Sequence, residues 1–207
     1  SHGEVQPSFV WLLAVNALAA EGLHAVPSDD DPREIELGHH ILRPLEASDG
    51  GYVGSDAAGY QVLLDYKAAP FRRFTMGQVL AGELPADVFR DRVVIVGSNA
   101  ESLPDVFSVP VGGSLAGMEI HAHAVDQLLR IARGDSVPRR FAAEWFDVLA
   151  VLTASLLACG FVLSLRKRTQ LGAVSFLVSL VGGLGAIAMA SQWTFLEGWW
   201  FPAGAPA

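Results

Sequence analysis

The sequence predicts a layered α/β domain followed by a transmembrane α-helical hairpin. Three observations lead there. Short β-favouring runs alternate with helical patterns through residues 1–144. Two long uncharged stretches follow, joined by Arg166-Lys167-Arg168. Charge is also split along the chain. Residues 1–147 carry 11 Lys+Arg against 21 Asp+Glu, net −10, and residues 148–207 carry 3 against 1, net +2, within an overall −8. The 207 residues are 51% hydrophobic and 17% charged, with a mean hydropathy of +0.36. Those values exclude a disordered chain and disfavour a purely soluble one. Neither block has the basic surface that nucleic acid requires. The single cysteine, Cys159, permits no intrachain disulfide and no multi-cysteine metal site.

The elements follow in order. Phe9–Ala20 reads as a helix with Ser8 as N-cap after Pro7. The uncharged run around it, Val5 to Ala20, is 16 residues, which suits a buried helix better than a span. A loop at Pro27–Arg33 leads to a strand at His40–Leu45, and a glycine-rich turn at Asp49–Gly54 to a strand at Tyr60–Tyr66. In that second strand Val62 and Leu64 alternate against Leu63 and Asp65. Thr75 starts a helix to Ala81, and Pro85–Phe89 forms a short helical turn. Val93-Val94-Ile95-Val96 is wholly apolar and β-branched, so it is predicted as a central strand buried on both faces. Gly117–Ile131 is a long helix. Its stripe of Ile120, Val125, Leu128 and Leu129 should pack on that strand, with Gln127 exposed.

The membrane part starts near residue 145. Val148–Leu165 holds 18 uncharged residues and Thr169–Leu196 holds 28, each enough to cross about 30 Å of hydrocarbon. The spans are placed at about 147–165 and 169–193, with a third starting near Pro202. Buried core helices would carry a polar face at this length. Trp193, Trp199 and Trp200 suit the membrane–water interface, and three adjacent cations in a tiny loop favour the cytoplasm. The acidic block, residues 1–144, then lies outside. Gly182-Gly183 and Gly185 offer a smooth face for helix packing. The chain begins Ser1-His2-Gly3 and stops just after an apolar turn, and it reads as an excerpt from a longer protein.

Candidate chemistry is sparse. Glu119, His121 and His123 would share one face of an extended segment and could then hold a transition metal. Their helical context argues against a metal, and leaves Glu119 as an anchor favoured by the helix dipole. Gly97-Ser98-Asn99 follows the expected central strand, where free N–H groups could hold an anion. Asp105 lies in the next loop. The candidate ligand contacts are therefore Gly97, Ser98, Asn99, Asp105, Glu119 and His121. No catalytic residue, metal or cofactor is assigned. Gly134-Asp135-Ser136 follows a helix and lacks the G-x-S-x-G elbow of a hydrolase.

Several of these residues together resemble the CHASE2 family. They are Arg92–Gly97, then Ala100, Asp105 and Pro110, then Gly117-Met118-Glu119-Ile120-His121-Ala122 followed by Asp126-Gln127-Leu128-Leu129. Pro7-Ser8-Phe9 and Phe74–Leu80 fit the same pattern. Ala116 stands where the family often has Pro, and His123 where it often has Asn. The resemblance covers roughly 7–140 as sensor and 145–207 as the start of a transmembrane triplet. It implies an extracytoplasmic sensor of a multi-pass receptor in the bacterial inner membrane, with no enzymatic activity in this part. The family's cytoplasmic outputs are nucleotide cyclases, protein kinases or diguanylate cyclases, and from them a homodimer is expected. The implied partners are the bilayer and a small extracytoplasmic ligand. The helix from Gly117 leads through Pro138 towards the first span and is the expected transmission rod. The rival readings are a membrane-tethered hydrolase using Asp105, Glu119 and His121, and a non-sensing membrane scaffold.

Overall fold

A computed structural model of the chain describes residues 6–49, 54–66, 71–98, 105–141 and 144–166, with scattered positions between 174 and 200. The chain divides into two compact units, one of Ser1–Leu42 with Leu63–Val137 and one of Arg43–Val62 with Pro138–Ala207.

The first unit is built on two helices, α1 (Phe9–Ala20) and α3 (Gly117–Arg133), with a three-stranded antiparallel sheet of β1 (Ala25–Pro27), β2 (Ile35–Leu37) and β3 (His40–Leu42). Ser8 caps α1 as the sequence predicts, its hydroxyl accepting from Trp11 N at 3.2 Å. The helices run side by side in the same direction. Near their N-termini the Phe9 and His121 rings meet at 5.5 Å. At their C-termini Arg133 Nε donates to Glu21 Oε2 at 3.0 Å. Each pair is separated by the same 12 residues along its helix, so the two helices stay in step.

Period two in the sheet turns Ala25, Ile35, Leu37 and Leu42 to one face, and Val26, Glu36 and Ile41 to the other. The first face closes the core with Ala14 and Leu18 of α1 and Leu128, Ile131 and Ala132 of α3. Leu18, Leu37, Leu42 and Ile131 are fully buried, and each such side chain stabilises by about 1.5–3 kcal/mol. The β2–β3 turn sits on the end of α3: Gly38 has φ +60° and a Cβ there would overlap the Ala132 carbonyl. His39 N also donates to that carbonyl at 3.3 Å. Paired bonds then end α3, Gly134 N to Ile131 O and Asp135 N to Arg130 O. Gly134 is thus a helix terminator.

The mixed α/β class holds, but the layering around a central strand does not. Val93–Val96 lies in irregular chain and Val96 is 74% exposed. Four β-branched residues favour extended backbone, yet a strand needs a partner edge, and among the described residues none pairs with this run. Leu128 and Leu129 of the α3 stripe pack instead in the core with α1 and the small sheet. The strand expected over His40–Leu45 stops at Leu42, just before Pro44, which cannot donate to a ladder. Among the described residues Tyr60–Tyr66 pairs with no strand. Pro85–Phe89 is a turn, closed by Val88 N to Pro85 O at 3.1 Å. The short helix α2 (Met76–Leu80) keeps its Thr75 cap, and β4 (Val106–Ser108) with β5 (Ser114–Ala116) forms a hairpin running into α3.

In the second unit, residues 43–62 fold back on themselves through Leu45 N to Gln61 O at 2.8 Å and Ser55 N to Ala47 O at 3.0 Å. Helix α4 (Glu144–Arg166) has 23 residues and covers the first expected span. Residues 167–173 fall outside the described set, and the described positions from 174 to 193 are all helical. β6 (Arg140–Phe141), just before α4, pairs in parallel with β7 (Trp199–Trp200). Counted over the described residues alone, no helix is long and apolar enough to cross a membrane, so the hairpin of spans is not established by the structure.

Candidate functional site

The residues singled out in the sequence gather chiefly at the start of α3. Ala116, in the N-cap position, has no side chain able to accept from the first turn, so other groups take that part. Glu119 reaches back, its Oε2 accepting from Ala116 N at 3.3 Å. Asp105 O accepts from Gly117 N at 2.9 Å. The Asp105 carboxylate lies so close to Gly117 that a Cβ there would overlap it. Any larger residue at 117 would force the Asp105 carboxylate to move. Gly97 arrives from a different loop against the Met118 side chain, 2.7 Å from where its own Cβ would stand. Arg73 forms an ion pair with Glu119, whose side chain is only 15% exposed.

Gly97, Asp105 and Glu119 thus converge on one helical turn although they lie on separate segments. Ser98 follows Gly97 and is exposed. Asn99 lies outside the described residues. His121 sits apart, exposed beside Phe9. His123 is buried, with Tyr66 and Phe71 rings edge-on at 5.3 and 4.8 Å. Helical spacing leaves Glu119 and His123 as i,i+4 neighbours with His121 on another face, and Glu119 pairs with Arg73 whereas His123 packs against Tyr66 and Phe71. Among the described residues no cluster of His, Cys, Asp or Glu could hold a metal ion.

The first turn of α3 is acidic. Two carboxylates, Asp105 and Glu119, already face the positive end of α3, and Arg73 compensates one of them. The turn thus presents carboxylate oxygens and one guanidinium.

The structure also overturns the placement of Gln127. Its expected place is the exposed face of α3, and it is 5% exposed. Its Nε2–H donates to Leu63 O at 2.9 Å, and Asp65 N–H donates to its Oε1 at 2.8 Å. Those are the two bonds that one residue of a parallel neighbouring strand would make. Residues 63–65 of the expected strand are therefore held by a side-chain amide. Arg130 supports the same segment, with Nε donating to Asp126 at 2.8 Å and Nη1 3.9 Å from Asp65. A signal for Gln127 does exist in the sequence: Ile120, Ala124, Gln127 and Ile131 follow helical spacing. Arg73 has no such signal, because only the folded chain brings it to Glu119.

A family model described as CHASE2 domain matches residues 1–160. No curated protein sequence matches, and no solved structure does.

Proposed function

The chain belongs to the CHASE2 domain family, and from that premise we propose that it is the extracytoplasmic ligand-sensing module of a bacterial transmembrane receptor, signalling to a cytoplasmic output domain. The observation that carries the reading is the extent of the match. The match covers residues 1–160, which include the α/β unit, β6 and the greater part of α4, and CHASE2 is a sensor domain family. The chain does no chemistry of its own in this reading and acts with the bilayer, a small ligand and a second copy of itself.

Three features support the membrane placement. Val148–Leu165 carries no charge. Trp145, Val148, Val151, Leu152, Leu156 and Val162 of α4 are exposed, an unusual run of apolar surface to leave in water. The basic loop Arg166–Arg168 favours the cytoplasm. The ligand belongs at the first turn of α3, where Gly97, Asp105 and Glu119 meet. A ligand transmits only by binding one conformation better than another, and this turn begins the helix whose sequence leads towards α4.

A reporter active only in the cytoplasm should work when fused after Arg168 and fail when fused after Arg133. The reverse would overturn the orientation and the sensor reading with it. Stabilisation of the full chain by a small extracytoplasmic solute, lost in Glu119→Ala, separates a sensor from a scaffold. A scaffold would melt at one temperature whatever solute is present.

A further inference from the structure

The pairing of β6 with β7 joins chain positions that lie on either side of both apolar stretches. Arg140 stands opposite Trp199 and Phe141 opposite Trp200. The Arg140 guanidinium lies 5.8 Å from the Trp199 ring centroid, within cation–π range. Between the two strands lies α4, about 34 Å long. The pairing therefore brings residue 199 back beside the residues that precede α4. Direction adds a second constraint. An antiparallel pair would send the chain after Trp200 away from the α4 end of β6. The observed pair is parallel, so Trp199–Trp200 runs in the same sense as Arg140–Phe141, which precedes α4 in the sequence.

We propose that β6 and β7 form a juxtamembrane clasp that ties the chain entering α4 to the chain leaving after Trp200, so that displacement of one is delivered to the other. The clasp rests on the reading of two spans proposed above, and it deepens that reading. A signal reaching Arg140–Phe141 need not pass along both apolar helices to reach a following segment. It crosses at the outer surface, through a two-residue ladder and one cation–π contact. Two backbone pairs and one exposed contact make a weak joint, which a receptor switching between states can open. The clasp chemistry also suits its level in the membrane: indole rings and guanidinium groups favour the headgroup region.

The test uses the full chain with Cys159→Ala in vesicles of phosphatidylethanolamine and phosphatidylglycerol. Arg140→Cys with Trp199→Cys should form a disulfide under mild oxidation. Thr153→Cys with Trp199→Cys should not, because residue 153 lies about 14 Å along α4 from its first residue. Equal yields, or none from either pair, would overturn the clasp. Hydrogen exchange gives the coupling readout. Trp199→Ala should raise exchange at residues 140–141 by roughly two- to fivefold, the worth of an exposed cation–π contact, with Trp199→Phe in between. Unchanged exchange at 140–141 would mean that the two strands are not coupled. Labelling of a lone Lys167→Cys from either side of the vesicle reports the two-span reading separately. Residue 167 on the same side as residue 199 would sink the spans, whatever the crosslink shows.

Discussion

Gln127→Ala removes the side chain that gives Leu63 O and Asp65 N their hydrogen bonds to α3. Both bonds have good lengths, 2.9 and 2.8 Å, and the amide is 5% exposed. A net hydrogen bond contributes about 0.5–1.5 kcal/mol, and a partner left buried and unpaired costs about 1–3 kcal/mol. Leu63 and Asp65 are half-buried, so water can reach part of what is exposed. Two bonds at the middle of the first range give about 2 kcal/mol. A surface glutamine would give less than about 0.5 kcal/mol, so the two placements of this residue predict different results. Chemical unfolding of the full chain measures the total, and exchange at the Asp65 amide measures the local share. Gln127→Glu is the informative companion. It keeps an acceptor for Asp65 N–H but loses the donor to Leu63 O, and it adds a buried charge. Amide exchange at Asp65 should therefore rise more in the Ala variant than in the Glu variant. A loss below 0.5 kcal/mol with unchanged exchange at Asp65 would refute the idea that Gln127 substitutes for a strand.

Other expectations follow from the same packing. Leu128→Ala should cost about 2–5 kcal/mol in the same unfolding assay, because Leu128 closes the core between α1 and the sheet. Gly38→Ala meets both a left-handed backbone and the Ala132 carbonyl, and a loss of about 1–3 kcal/mol is expected. Restoring stability by a second substitution elsewhere should fail unless it moves the β2–β3 turn. The Glu21–Arg133 pair gives a pH dependence. The hydrogen bond from Arg133 holds the Glu21 carboxyl below its ordinary range, partly offset by desolvation. Its contribution is thus complete above the ordinary glutamate value and is lost as pH falls through the lower folded-state value. Unfolding from neutral pH to below about pH 4 should be less steep in Glu21→Gln, by no more than about 1 kcal/mol for so exposed a pair.

Much of the helical part was legible in the sequence because its signals are local. Ser8 and Thr75 each precede a helix by one residue, and the residues that start α1, α2 and α3 stand where capping and periodicity place them. The strands were less legible because a strand is completed by something distant. Val93–Val96 has the composition of a buried strand and no partner among the described residues. Tyr60–Tyr66 has the alternation of a strand and is bonded to an amide on α3. The three strands that do form the core sheet are three residues each, too short to show a clear period. At the candidate site, the residue types of Gly97, Asp105 and Glu119 were visible, and their meeting was not. Close approach at Gly117 and the ion pair with Arg73 exist only once three loops converge on one helix.

Thiol labelling in intact cells tests the central claim most directly, because it reads both faces of the membrane in one experiment. In a Cys159→Ala background, Glu83→Cys lies next to α2, in the unit assigned to the outside, and Lys167→Cys lies in the basic loop assigned to the cytoplasm. A membrane-impermeant maleimide should label residue 83 in whole cells and residue 167 only after lysis. Labelling of residue 167 in whole cells, with residue 83 protected until lysis, would invert the topology and contradict an extracytoplasmic sensor.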